Sequence, residues 1–320
     1  MIRYHILSES EEKQLKTRTK IFRAEKKKLE DEAAKIKVKV EDKKVTWIEE
    51  AIRRTGIYKK DKKYSEPPKQ NWSLIKGIYM KLQANKCAYC EQKLEGGEKK
   101  IAHDVEHYRP KKNVLVWPDK KKSKKFNFTF PLGDAADGYY LLPYNLFNYT
   151  TSCKVCNSQL KRDYFPVKSK RVNNSDTPTT LKREGAYLIY PLGHFDDDDP
   201  EDLITFNGIK PIINPNIKDE HKRNRAAVTI AFFELDLRDT LLKQRAEVIE
   251  RMFDAFNDQY THPDPERRKQ AAKKLARWQL PSSEHSSCAR AFFKVCQTDL
   301  PTAYTYYKAA IDYIEAHLDT

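Results

Sequence analysis

"NYTTSCKVCNSQLKRDYFP", residues 148–166, places Cys153 and Cys156 in C-x-x-C spacing, with Asn148 five residues before the pair and Asn157 directly after it. A turn of this kind aims two thiolates at one ion, but a tetrahedral zinc needs four ligands. "CAYC", Cys87–Cys90, supplies a second pair. A single C-x-x-C is weak evidence. Two of them, in a chain with nothing thioredoxin-like around them, point to a structural Zn²⁺ held by Cys87, Cys90, Cys153 and Cys156. A redox dithiol and merely buried thiols are the alternatives. Cys288 and Cys296 stand among apolar residues and read as core cysteines.

Between the pairs lies "DVEHYRPKK", residues 104–112. A zinc joining both ends of the segment would lay a strand carrying Glu106 and His107 against the start of a helix over "NSQLKRDYF". Oxygen-bearing side chains could then hold a divalent ion that polarises a phosphodiester. A neutral imidazole could take a proton from the attacking water, and an asparagine could fix the loop that carries it. Asn145 competes with Asn148 for that last role. His103 and Asp104 could also reach an ion, but read more simply as strand residues with local hydrogen bonds.

The run "CAYCE…VEHYRPK…NYTTSCKVCNSQLKRDYFP" resembles the zinc-stapled HNH endonucleases, whose active site is the ββα-metal fold. Within that family it is most similar to the HNH subunit of Septu anti-phage systems and of retron-associated Septu-like modules. The match is tight from Cys87 to Pro166 and looser through "LDLRDTLLKQR". The resemblance implies Glu106 as a metal ligand, His107 as general base, Asn148 as the middle residue positioning the base loop, and Asn157 as a second ligand of Mg²⁺ or Mn²⁺. Many relatives of this kind carry histidine where Asn157 stands, and an amide oxygen is the weaker ligand. A defence role follows, with a large ATPase partner of the PtuA type in a hetero-oligomeric complex. DNA is the substrate expected first. RNA such as tRNA, and a non-catalytic zinc-dependent nucleic-acid-binding scaffold, are the rivals.

Charge agrees with a polyanionic partner. Lys and Arg number 61 against 46 Asp and Glu, a net charge of +15, and phosphates recruit such residues through counterion release; a lysine-rich surface that only aids solubility is the plainer reading. Arg109, Lys111, Lys161 and Arg162 are the expected phosphate contacts. "DKKKSKKF", Asp119–Phe126, is either a phosphate grip or a solvated loop. "DDDDP", Asp196–Pro200, invites a metal reading, but consecutive aspartates rarely converge on one ion.

The fold class expected is α+β: a ββα-metal core stapled by four cysteines within a mainly helical protein. Its parts are a charged helical arm over 1–68, the nuclease core over 69–170, a strand and loop extension over 171–218, and helices over 219–320. Leu15, Phe22, Leu29 and Ile36 recur every seven residues, which predicts one long helix from Glu9 to Lys39 that serves as a docking arm or lies on its own domain. "EDKKVTWIEEAIRRTG" reads as a helix capped at Gly56. "NWSLIKGIYMKLQANK" reads as one burying Trp72, Ile75, Ile78 and Leu82. "AYLIYPLGHFDDDDPEDLITF" reads as strand, acidic loop and strand. Helices with a break near Leu235–Leu237 follow, and the aromatics of the last one are expected in core or interface. No apolar run reaches the ~18 residues of a membrane helix, and "MIRYHILSESEEK" lacks a signal peptide's apolar centre. A cytoplasmic location is expected.

Overall fold

The computed structural model describes residues 1–94, 102–119 and 126–317. The chain divides into two units. One comprises Arg3–Cys87 and Leu94–Asp197; the other comprises Met1–Ile2, Ala88–Lys93 and Asp198–Thr320. All of "DKKKSKKF" except its first and last residues lies outside the described residues.

In the first unit the seven-residue column is split: Leu15 ends one helix, Phe22 and Leu29 lie on a second, and Ile36 falls beyond both. Helix α1 (Glu9–Leu15) begins with a reciprocal Ser8/Glu11 capping box and stops at Lys16, which adopts φ 54°. Thr17 caps a fresh start, α2 (Arg18–Ala34). Phe22 stacks on Phe147 at 4.5 Å, and Leu29 is buried. The segment is thus packed within its unit through these residues, while most of its charged residues are exposed. Beyond α2 the expected helix gives way to a hairpin, β1 (Lys37–Val40) and β2 (Lys43–Thr46), with Val38 opposite Val45. Valine and lysine alternate here with period two, which suits a strand whose one face is buried.

Helix α3 (Trp47–Asp61) starts only at Trp47, because Thr46 and Glu49 form a second capping box. It runs straight through Gly56, where an end was expected, to Lys62 at φ 51°. A 3-10 turn (Trp72–Ile75) then leads into α4 (Lys76–Leu82). That tighter entry shifts the helical phase, so Tyr79 and Met80 are buried with Trp72 and Ile75, while Ile78 and Leu82 are only half-buried.

Strand β3 (His103–His107) is followed by the two-residue strands β4 (Asn113–Val114) and β5 (Ala136–Asp137), which pair with each other. A 3-10 turn (Leu146–Asn148) then enters β6 (Tyr149–Cys153). β3 and β6 are antiparallel, with His103 opposite Cys153, Glu106 opposite Thr150 and His107 opposite Tyr149. A seven-residue π-helix, Val155–Lys161, follows at once. After α5 (Pro178–Leu181), the apolar run Tyr187–Tyr190 is buried as an irregular stretch and not as the expected strand.

The second unit is mainly helical. α6 (Pro200–Leu203) precedes the hairpin of β7 (Ile204–Asn207) and β8 (Lys210–Ile213). α7 (Glu220–Phe232), α8 (Asp239–Thr261), α9 (Pro265–Gln279), α10 (Ser286–Thr298) and α11 (Leu300–Glu315) complete it. The expected break falls between α7 and α8, where Glu234 takes φ 47°. The core joins Val248, Ile249, Met252, Leu275 and Phe292 with Cys288 and Cys296. Burial pushes both thiols up to about 12, as inert core cysteines require. Of the aromatics on α11, Tyr307 stacks on Phe253 at 4.5 Å, while Tyr304 is exposed.

Candidate functional site

Cys87, Cys90, Cys153 and Cys156 are all buried, and their sulfurs lie within 4.8 Å of one another. Zinc–sulfur bonds of about 2.3 Å in a tetrahedron place sulfurs about 3.8 Å apart, so the four fit such an ion with a small contraction. None is disulfide-bonded. The amide of Cys153 donates to the Cys87 sulfur at 3.4 Å, and that of Cys156 to the Cys153 sulfur at 3.5 Å. Amides aimed at sulfurs favour thiolates, the form that binds metal. The side chain of Gln83 holds this end of β6: it donates to the carbonyl of Thr151 and accepts from its amide, at 2.7 and 2.8 Å.

Glu106 and His107 close β3, and both are buried. The Nε2 of His107 lies 3.1 Å from the carbonyl of Pro143. The ring meets Trp72 edge-on at 5.2 Å and tilts against Tyr149 at 5.0 Å. Burial, with Lys111 close by, holds the imidazole down to about 3, so it is neutral. A neutral ring whose Nε2–H donates to a carbonyl keeps Nδ1 as an unprotonated acceptor. The carboxyl of Glu106 lies 3.4 Å from the ammonium of Lys161. Burial raises Glu106 to about 7 despite that cation, and lowers Lys161.

Asn148 is a clamp. Its Oδ1 accepts from the amide of Arg109 at 2.7 Å, and its Nδ2 donates to the carbonyls of Arg109 and Leu142 at 3.0 and 3.2 Å. Its own carbonyl accepts from the amide of Tyr108. The chain leaving β3 is therefore fixed immediately after His107. Asn145, the competitor, caps the 3-10 turn through Phe147. Asn157 is the third residue of the π-helix, half-buried, and its carbonyl accepts from Arg162.

Two of the four expected phosphate contacts face inward. Arg109 is 3% exposed, donates to Glu184 at 2.7 Å, and lies against the rings of Tyr108 and Phe165. Lys161 is fully buried on Glu106. Both are held in the interior, because a buried cation needs its carboxylate; as placed, neither reaches a surface phosphate. Lys111 is half-buried, 4.8 Å from the centre of the Trp72 ring, and Arg162 is exposed. Glu184, which also accepts from Tyr139, was missed in the sequence, as was the carbonyl of Pro143; no local motif marks either.

The four aspartates diverge. Asp196 accepts from the amide of Tyr190, and Asp197 pairs with Arg18 and Lys182. Asp198 pairs with Arg225 and Lys222, and Asp199 caps α6.

Fold and cysteine cluster together define a mixed helix and small-sheet protein with a buried site that could bind a metal. No family model matches the chain, and no solved structure matches it. It is similar to the Septu protein PtuB of Bacillus mycoides (strain KBAB4), with 27% identity over 199 residues, which is 62% of this chain and 58% of that protein. The two are relatives, and the chain thus spans under three fifths of that curated relative's length. Among the described residues, no helix is long and apolar enough to cross a membrane.

Proposed function

We propose that this chain is a metal-dependent HNH endonuclease, the effector subunit of a Septu-type anti-phage complex with an ATPase of the PtuA type. The observation that carries the reading is the placement of His107. It ends the first strand of a strand–strand–helix unit, with Nε2 turned to the Pro143 carbonyl and Nδ1 left as the acceptor. The similarity to PtuB supports the defence context.

In this reading Nδ1 of His107 takes the proton of the attacking water. The Asn148 clamp keeps the backbone beyond the histidine from shifting, which protects that geometry. Glu106 and Asn157 would hold Mg²⁺ or Mn²⁺, which polarises the phosphodiester and steadies its leaving oxygen. Asn157 is half-buried on the first turn of the π-helix, which leaves its side-chain oxygen in position to act as a ligand. Glu106 would divide its charge between the ion and Lys161. Lys111 and Arg162 are the cations left to meet the substrate backbone. The four cysteines would hold Zn²⁺, fixing β6 to the start of the π-helix.

The test is cleavage of labelled duplex DNA and of tRNA by the chain co-purified with the ATPase, with Mg²⁺ or Mn²⁺. DNA cleavage is expected, lost in His107→Ala while zinc content stays that of the wild type. Cleavage of tRNA alone would redirect the same chemistry to RNA. Full activity in His107→Ala would overturn the base, and no turnover with any divalent ion and the partner present would leave a non-catalytic scaffold.

A further inference from the structure

A second set of metal-ligating side chains lies in the first unit, apart from the cysteines. Glu12, Glu25 and His194 present their ligand atoms within 4.8 Å of one another. The Nδ1 of His194 is 2.8 Å from Oε1 of Glu25 and 3.8 Å from Oε1 of Glu12. The Nδ1 of His5 lies 3.1 Å from that same Glu12 oxygen. Glu12, Glu25 and His194 therefore converge from three pieces of chain, α1, α2 and the loop after Gly193, and His5 of the N-terminal segment adjoins them through Glu12.

Glu25 makes the set more than a surface cluster. It is 0% exposed and sits on the inward face of α2 between Phe22 and Leu29, where an apolar residue belongs. A buried carboxylate needs a compensating cation. Yet the ion pairs of Glu12 and Glu25 among the described residues are with histidines, not with lysine or arginine. Two carboxylates reaching one imidazole nitrogen would repel each other unless positive charge lies between them.

The surroundings supply the support that metal ligands normally have. The amide of His194 donates to both oxygens of Glu25 at 3.1 Å. Arg18 donates to the carbonyls of His194 and Asp196 at 2.8 Å, which fixes the loop that carries the imidazole. Gly193 has φ +55°, and a Cβ there would come within 2.8 Å of Glu25 Oε1, so glycine is what lets this backbone approach the carboxylate. His5 is 51% exposed and leaves a path from solvent.

We propose that Glu12, Glu25 and His194 form a second metal site that takes a divalent transition ion, Zn²⁺ first, and that His5, which stands beside Glu12 at the open side, turns in to complete it as the fourth ligand. Its role is structural, pinning the N-terminal segment, α1 and α2 to the loop at His194. It stands independently of the nuclease reading.

The experiment is zinc content per chain by mass spectrometry of the full chain equilibrated with Zn²⁺, with Co²⁺ substitution as the second readout. His5→Ala and Glu12→Gln are the variants, because both residues lie at the open side and neither is the buried Glu25. Each variant is expected to hold one zinc fewer than the wild type. With Co²⁺ the wild type should show weak nitrogen- and oxygen-ligand bands beside the intense sulfur-to-cobalt bands of the cysteine site, and the variants should lose only the weak ones. Retained sulfur bands certify the fold. A variant that keeps the wild-type zinc count and the weak bands overturns the proposal, as does a wild type that lacks those bands at saturating Co²⁺.

Discussion

Asn148 makes three side-chain hydrogen bonds within the buried turn after β3, and two of them grip one residue, Arg109. Truncation strands the amide and the carbonyl of Arg109, each costing about 1–3 kcal/mol when left buried, while the Leu142 carbonyl keeps the amide of Asn145. Asn148→Ala should therefore lower stability by about 2–4 kcal/mol in urea titrations, which allows for partial rescue by water. Asn148→Asp keeps the acceptor for the Arg109 amide but sets a carboxylate against two carbonyls, so it should be no better. If Asn148→Ala loses under 1 kcal/mol, the clamp is incidental. At Arg109 the partner matters as much as the residue. Arg109→Met leaves Glu184 buried without its cation, and Glu184→Gln leaves the guanidinium likewise, so each should cost about 3–5 kcal/mol. The double variant should cost clearly less than the sum, because the uncompensated charge disappears. Additive losses would refute the pair. Neither variant should alter a phosphate contact directly, since Arg109 faces the interior.

At the scale of elements, a zinc held by the cysteine pairs would tether α4 and β6 at their ends, while Gln83 spans the same gap by hydrogen bonds. Cys153→Ser should remove one zinc per chain and speed hydrogen exchange at Val105 and Thr151, which face each other across β3 and β6. Unchanged protection there, with the zinc gone, would show that Gln83 and the strand pairing suffice. Much of this arrangement was legible in the sequence, because the spacing of Cys87, Cys90, Cys153 and Cys156 is a local signal with one tight geometric solution. The break near Leu235–Leu237 and the core places of Cys288 and Cys296 were legible for the same reason. What was not legible depends on distant partners or on competing local signals. Nothing near Arg109 announces Glu184, which stands 75 residues away. The heptad column of Leu15, Phe22 and Leu29 outweighed Thr17 as a helix start, and the capping box of Thr46 and Glu49 was hidden inside a run that already looked helical. The buried run Tyr187–Tyr190 has strand composition, yet it is covered without a ladder.

Over the whole molecule the net charge of +15 needs a partner or a purpose. If the charge serves solubility alone, duplex DNA should bind weakly through no fixed set of contacts. If a basic face meets phosphates, the logarithm of the binding constant should fall linearly with that of salt, by about 0.9 per phosphate neutralised. Arg162 is the residue on which to test this. It is exposed and follows the π-helix at φ 45° and ψ −131°, a backbone that glycine adopts with less strain than arginine. Arg162→Gly therefore removes one cation without a folding penalty, and should if anything stabilise the turn. Fluorescence anisotropy with a labelled duplex over 50–200 mM NaCl should show the slope reduced by about one in Arg162→Gly relative to the wild type. Lys111→Ala should reduce it too, but with some loss of packing against Trp72, over which its ammonium lies. Arg109 and Lys161, which are paired in the interior, should contribute nothing to the slope in variants that remain folded. A slope that ignores Arg162 and Lys111 would move the polyanion surface away from the strand–strand–helix unit, and with it the case that this unit meets the scissile phosphate.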